Sequence, residues 1–473
     1  MDIITGKILK LHNWPDGRII GLAKSAAEIL SAQGQERDNI LTSLELVRQN
    51  PGQYLADPIF AGLARECLRL LPKPQDETGD LRENPLPYPV WGREGIDDAA
   101  IAQMDRAMRL PVSLAGALMP DAHVGYGLPI GGVLAADNAV IPFAVGVDIA
   151  CRMRLSIYEV SPYLLGQKKT LFENALMEQT AFGVGAQWKL NNRPQHAVLD
   201  DVAWDATPLL KKLQDNAARQ LGTSGTGNHF VEWGAFRLRE PMLGLLPGEY
   251  LALLSHSGSR SVGFMIADRY SKLAREIHPD LDESIRQMAW LSLDSEAGQE
   301  YWLSMELAGR FASANHQIIH QRVAHAVGLK EAAVVENHHN FAWSESLPDG
   351  RKVIVHRKGA TPAGVGVLGV IPGSMGDPGY VVRGRGFGES LQSASHGAGR
   401  QMSRKSALGS ISKRARDEYL KDRGVTLLGG GLDESPQAYK PIDQVIMAQQ
   451  QLVEVMGKFN PRIVRMAEDV GDF

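Results

Sequence analysis

The sequence predicts an α+β protein: a single large domain of mixed β-sheets flanked by helices, with a small helical region before it. Three observations carry this expectation. Apolar residues recur at helical spacing over Ile19–Ala32 and Ile40–Arg48. From about residue 90 onward, short apolar runs alternate with glycine-containing turns, as strands and loops do. Helical stretches interrupt those runs too irregularly for a doubly wound parallel sheet.

Taken in order, residues 1–71 read as a helical extension whose third helix holds Asp57-Pro58 and Cys67, the latter as a small buried apolar residue. Residues 72–89, from Pro72-Lys73-Pro74 to Pro85-Leu86-Pro87-Tyr88-Pro89, read as a semi-extended linker. Residues 90–473 form the large domain. It opens with an amphipathic helix over Ile96–Leu110. Strand-like runs follow at Leu118–Pro120, Gly131–Ala135, Ala139–Pro142 and Arg152–Ile157. Helices are expected near 162–180 and 208–220, a buried strand at Tyr250–Leu254, and a long helix over Ser295–Val327. Strands recur at Val353–His356 and Val365–Ile371, and helices at Ile411–Leu420 and Ile442–Met456.

The 473 residues, 44% of them apolar and 22% charged, can bury a sizeable core. A formal net charge of −4 excludes a generally basic nucleic-acid coat, so such a partner needs a local basic groove. Two cysteines, Cys67 and Cys151, make no disulfide framework. The start of the chain has no apolar signal core, and no run of about 18 apolar residues suggests a membrane span. A cytoplasmic chain is expected. The glycines cluster in short runs, which points to several ligand-facing loops.

Candidate chemistry sits in those loops. Asp148 and Cys151 lie three apart at a strand end, a carboxylate and a thiol able to face one ion. Gly222-Thr223-Ser224-Gly225-Thr226-Gly227 can form a backbone nest for phosphate, followed by Asn228, His229 and Glu232. Ser255-His256-Ser257-Gly258-Ser259-Arg260 and Glu336-Asn337-His338-His339-Asn340 repeat the theme of histidine among small or polar neighbours. Asp148, Cys151, His229, His256 and His339 together make a mixed oxygen, sulfur and nitrogen shell able to hold two ions with the sulfur shared. His316 and His320, four apart on the long helix, lack the His-Glu-x-x-His pattern. They and His325 are expected to be solvated or to face RNA, and His12, His196 and His278 to lie on the surface. The runs around Arg357-Lys358 and Arg383–Arg385, with Arg400, Arg404 and Lys405, supply the basic groove. Ser374 stands in a close-approach loop. In Ser393-Ala394-Ser395-His396-Gly397-Ala398-Gly399-Arg400, small residues leave room for a bulky ligand at the imidazole of His396, and Arg400 can clamp an anion.

These stretches together resemble the RtcB family of RNA ligases. The resemblance rests on Met119-Pro120-Asp121-Ala122-His123-Val124-Gly125-Tyr126-Gly127, residues 146–151, Gly225-Thr226-Gly227-Asn228-His229-Phe230, residues 256–260, His339-Asn340, residues 356–360, residues 372–376 and residues 395–400, in the family's order. It implies a ligase that joins RNA 3′-phosphate or 2′,3′-cyclic phosphate ends to 5′-hydroxyl ends, using GTP and two Mn²⁺ ions. His396 would carry GMP as a phosphoramidate. Asp148, Cys151 and His229 would hold one manganese, and Cys151, His256 and His339 the other. Asn228, Glu232, Ser374, Gly397, Gly399 and Tyr439 would meet the guanylate, and Arg260, Arg357, Lys358 and Arg400 the RNA phosphates. A metal-dependent RNA-end phosphohydrolase or cyclic phosphodiesterase, or a non-catalytic RNA-binding paralogue, are the alternatives on the same scaffold.

Three departures mark a divergent paralogue. The family's Gly-Cys-Gly is Ala150-Cys151-Arg152 here, which is expected to bring charge and bulk near the metals. The family's terminal Lys-Gly has no counterpart in Glu468–Phe473, so the lysine that reaches the guanylate is not expected. Residues 1–85 have no counterpart in the shorter members.

Overall fold

The computed structural model describes residues 4–70, 81–347 and 349–468. Two sheets dominate. The larger runs Leu368–Ile371, Gly379–Gly384, Val453–Met466, Phe230–Leu238, Gly248–Ser257, Arg152–Tyr158, Ala333–His338, with Thr426–Leu428 pairing in parallel to Val453–Met466. The smaller runs Ser113–His123, Ile130–Ala136, Lys352–Lys358, Asn340–Ser346, antiparallel throughout. The chain passes from one sheet to the other within a single residue: His338 ends a strand of the larger sheet and Asn340 begins a strand of the smaller. His339 is therefore fixed at the corner. A short hairpin-like pair, Ala360–Pro362 with Ser393–Ser395, holds the backbone immediately before His396.

The long helix spans Glu296–Ala326, capped by the Ser295 side chain on the N–H of Gly298. Its buried residues include Tyr301, Leu307, Phe311 and Ile319, and it also buries Asn315, His316 and His320. The N-terminal helices Arg18–Ala32, Arg37–Gln49 and Ala61–Leu70 bury Ile19, Ile40, Leu44 and Leu63 in one apolar cluster with Trp204, Leu307 and Phe311 of the main body. Of the expected linker, residues 72–80 lie outside the described residues. Residues 81–89 pack along the body: Arg82 N–H donates to the Arg109 carbonyl, Leu118 N–H donates to the Pro89 carbonyl, and Leu86 and Tyr88 lie on the cluster of Met104 and Leu134.

Several elements differ from expectation: the strands Asn340–Ser346 and Gly379–Gly384 were passed over, and the third helix begins at Ala61, after Asp57-Pro58. The helix expected over Ile442–Met456 stops at Met447, and Val453–Met466 is a 14-residue strand. That strand pairs with Gly379–Gly384 on one side and Phe230–Leu238 on the other, so ladder hydrogen bonds and burial of Met456, Phe459 and Val464 outweigh the local helical pattern. Arg260–Ile277 is an 18-residue helix that the expectation passed over. No helix among the described residues is long and apolar enough to cross a membrane.

Candidate active site

A cleft of about 970 Å³ opens where the two sheets meet, lined by His123, Asn228, His256, His339, Ser374, His396, Gly397, Gly399, Arg400 and Tyr439 among others. His396 follows the Ser393–Ser395 strand and is held by one carboxylate. Asp121, fully buried, accepts from His396 Nδ1 at 2.6 Å and from the backbone N–H groups of His396 and Gly397 at 3.1 and 3.3 Å. Burial works to raise the Asp121 carboxyl, but the facing His396 outweighs it and holds the group below the usual carboxylate range. With Nδ1 committed to Asp121, Nε2 is the ring nitrogen left for a ligand. Gly399, at φ +74°, passes so close over Asp121 that a Cβ would sit 2.1 Å from its carbonyl oxygen.

All five expected metal donors converge beside it. Cys151 Sγ lies 3.4 Å from His229 Nε2 and 3.0 Å from His256 Nε2. Asp148 Oδ2 lies 3.1 Å from His229 Nε2, and His339 Nε2 3.2 Å from His256 Nε2. Cys151, His229 and His256 alone bring three donor atoms within 4.8 Å of one another. Two of the histidines are held in the neutral form that binds a cation. His256 Nδ1 donates to the Asn228 carbonyl at 2.9 Å, which leaves Nε2 as a bare acceptor aimed at the sulfur. Burial, with the His229 ring beside it, holds His256 down at about 3, and burial, with His396, holds His339 far below the imidazole range. Burial pushes the Cys151 thiol well above its ordinary range, and Asp148 adds to this. Five side chains of metal-ligating type, their ligand atoms 3.0–3.4 Å apart from one to the next, fit cations bound between them once the thiol has lost its proton. The packing requires Gly258, where a Cβ would lie 2.2 Å from Asp148 Oδ1.

The nucleotide-facing candidates are spread around the same cleft. Asn228, Ser374, Gly397, Gly399 and Tyr439 line it. Ser374 donates to Asp377 at 2.5 Å, and the Tyr439 hydroxyl donates to Glu434. Glu232 is buried below, its Oε2 without a hydrogen-bond partner, and burial alone pushes its carboxyl well above the carboxylate range. Arg400 lines the cleft, paired to Glu434 at 3.3 Å and donating to the Asp433 carbonyl at 2.7 Å.

Several expected roles change. Arg357 does not form a groove: it is 1% exposed, paired to Glu345 at 2.6 Å and lying over the Trp343 ring. Lys358 is likewise buried, its ammonium donating to the carbonyls of Tyr126 and Phe143. Arg260 is a brace, at φ +56°, donating to Thr223 Oγ1 at 3.2 Å and the Gly183 carbonyl at 3.0 Å. Both His316 and His320 are buried. Ser255 Oγ lies 2.7 Å from His316 Nδ1 and from His320 Nε2, and Ser156 Oγ lies 2.6 Å from His320 Nδ1. They brace the sheet beneath the converging side chains and face no solvent. His12 and His325 are exposed, whereas His196 and His278 are half-buried and hydrogen-bonded. Arg152 turns away from the donors, pairing with Glu336 at 2.9 Å and donating to the Gly309 carbonyl at 3.1 Å. Ala150 holds the left-handed conformation, φ +57°, where glycine carries no strain. Residues 469–473, where the family's terminal lysine was sought, lie outside the described residues.

Two site residues escaped sequence reasoning. Asp121 stood in a recognised stretch without a role. Lys440 donates to the carbonyls of Pro120 and Ala122 at 3.0 and 2.7 Å, pinning the strand that carries Asp121. Its adjacency to Tyr439 was the available signal.

Comparison with known proteins extends over this whole region. A family model described as tRNA-splicing ligase RtcB matches residues 103–467. The RNA-splicing ligase RtcB of Escherichia coli K12 is 34% identical over 372 residues, covering 72% of this chain and 87% of that protein. The tRNA-splicing ligase RtcB of Thermococcus kodakarensis is 32% identical over 441 residues, covering 76% and 90%. The RNA-splicing ligase RtcB of Mycobacterium tuberculosis is 32% identical over 397 residues, covering 70% and 92%.

Proposed function

With the chain a member of the RtcB family, and so an RNA ligase, we propose that it joins RNA 3′-phosphate or 2′,3′-cyclic phosphate ends to 5′-hydroxyl ends through a His396–GMP intermediate made from GTP. The observation that carries this reading is the fully buried Asp121 carboxylate on His396 Nδ1, which leaves Nε2 as the lone pair beside the cleft. A neutral imidazole oriented by a carboxylate is a competent nucleophile. Its ring centroid is 4.9 Å from that of His339, so the nucleophile and the metal donors share one chamber.

Nε2 attacks the α-phosphorus of GTP, a P–N bond forms and pyrophosphate leaves. An oxygen of the RNA 3′-phosphate, freed by water where the end is cyclic, attacks the same phosphorus and breaks the P–N bond. The 5′-hydroxyl then attacks the RNA phosphorus, and GMP leaves. Asp148, Cys151 and His229 would hold one Mn²⁺ and Cys151, His256 and His339 a second, offsetting phosphate charge when bound. Asp121 orients His396 and balances the positive charge its ring gains. Glu232 offers a buried, unpartnered carboxyl suited to the N–H edge of a base. Asn228, Ser374, Gly397, Gly399 and Tyr439 line the guanylate space, and Arg400 faces a phosphate. Incubation with α-labelled GTP and Mn²⁺ tests the reading. An acid-labile protein–GMP adduct absent from His396→Ala is expected. Lack of any adduct on the unaltered protein, with turnover of cyclic ends in the absence of GTP, would refute it.

A further inference from the structure

A second imidazole is presented to the cleft by the same strand. Asp121 and His123 are two apart at the end of Ser113–His123, so their side chains share a face. Asp121 serves both rings: its carboxylate accepts from His396 Nδ1, and its backbone carbonyl lies 3.0 Å from His123 Nδ1. A carbonyl only accepts, so His123 Nδ1 carries the proton and Nε2 of the neutral ring is bare. That Nε2 has no hydrogen-bond partner among the described residues, and His123 lines the cleft half-buried. On the cleft wall one nitrogen is anchored and the other is left to a ligand. Burial holds the ring down at about 4, with His396 among the charges adding to this, so it is a free base at neutral pH.

The last chemical step calls for such a group. Displacement at phosphorus runs roughly in line, the attacking oxygen opposite the leaving one. His396 has held the guanylate and so stands on the leaving side. The attacking hydroxyl needs a base that opens on the same cleft, as His123 does.

We propose that His123 Nε2 is that base, taking the proton of the RNA 5′-hydroxyl as its oxygen bonds to the RNA 3′-phosphorus. The bond from that phosphorus to the GMP oxygen breaks, GMP departs with the electron pair, and the His123 imidazolium returns its proton to water. Anionic RNA in the cleft favours the protonated ring and strengthens the base relative to the free protein. The assignment rests on the ligase reading above, and the test separates the two.

The substrate is RNA already carrying a 3′-guanylylated phosphate, offered with a 5′-hydroxyl strand and Mn²⁺ but no GTP. Asparagine keeps an N–H for the Asp121 carbonyl and lacks Nε2. In His123→Asn, joining is expected to fall about 100-fold or more, the scale of a lost general base. The loss should exceed any loss in His396 guanylylation by about tenfold or more, and with Mn²⁺ saturating at every pH the acidic limb of the joining pH profile should vanish. His123→Gly should recover joining when imidazole is added. Joining by His123→Asn within about threefold of the unaltered protein, with the acidic limb intact, overturns the assignment. Equal losses in both steps, unrescued by imidazole, reduce His123 to a structural role and also overturn it. An unaltered protein that forms no GMP adduct and joins no preactivated RNA overturns the ligase reading itself.

Discussion

Replacing Asp121 with asparagine removes one negative charge from a fully buried position while keeping its shape. The amide oxygen can still accept from the N–H groups of His396 and Gly397, so the backbone is expected to stay in place. Two effects remain. The 2.6 Å bond from His396 Nδ1 becomes a neutral one, a loss of about 1 kcal/mol. As Nε2 attacks phosphorus the ring becomes cationic, and a carboxylate about 4 Å from the ring charge contributes about 4 kcal/mol at the effective dielectric of protein sites. The second effect dominates because it acts only as the charge develops, and it corresponds to about a 1,000-fold fall in rate. Single-turnover guanylylation with labelled GTP reads it directly. Mn²⁺ stoichiometry should be unchanged, since Asp121 is not among the converging donors. A fall of less than about tenfold would refute the argument that His396 depends on the buried charge.

Metal binding is expected to release about one proton from the Cys151 thiol and to weaken as pH falls, because burial and Asp148 keep that thiol protonated without metal. Calorimetry in buffers of different ionisation enthalpy measures the release, and Cys151→Ala should abolish it. Arg152→Gly is expected to cost about 3 kcal/mol of stability by breaking the buried pair with Glu336, yet to retain the metal stoichiometry. Denaturation and metal titration together check this, and loss of metal with stability intact would contradict it. Burial, with Arg152 and Arg154 adding, holds His316 and His320 far below the imidazole range. The unfolded chain therefore binds protons that the folded one refuses. Stability should fall by about 2.7 kcal/mol per pH unit for the pair once pH drops below about 6.5. Urea midpoints between pH 7 and 5 give the slope, and a flat profile would contradict it.

The convergence of Asp148, Cys151, His229, His256 and His339 was legible because each stands in a Gly-, Ser- or Asn-rich segment beside a short apolar strand, a local pattern with a local cause. What local pattern cannot carry is partnership across the fold. Asp121 meets His396 from 275 positions away, and nothing near either residue names the other. The same limit explains Lys358: a lysine in a basic run reads as solvated until the carbonyls of Tyr126 and Phe143 are seen around it. His316 and His320 are a different case, since a signal was present. Phe311-Ala312-Ser313-Ala314 and Ile318-Ile319 surround them with small and apolar residues, the composition of a helix packed on all sides. Polar residues in such a helix seek partners inside, and Ser255 and Ser156 meet every ring nitrogen of the two except His316 Nε2.

The chamber's rigidity follows from where its residues are attached. His256 lies within the central strand Gly248–Ser257, paired opposite Phe230 on one side and Met153 on the other. His339 sits at the single-residue corner between the sheets, with its N–H bonded to the Cys151 carbonyl at 3.0 Å. From beneath, Asn315 on the long helix accepts from the N–H groups of Gly222 and Thr223 and donates to the Thr223 carbonyl, fixing the loop that leads to His229. Donors held by two sheets and a helix cannot move independently, so a cation filling the gaps need not order the chain around itself. An Asn315→Leu substitution separates this from a floppy site assembled by metal. It should weaken Mn²⁺ binding measured by calorimetry by about tenfold or more, because outer partners tune affinity on that scale. Unchanged affinity would show that the loop orders around the ion instead.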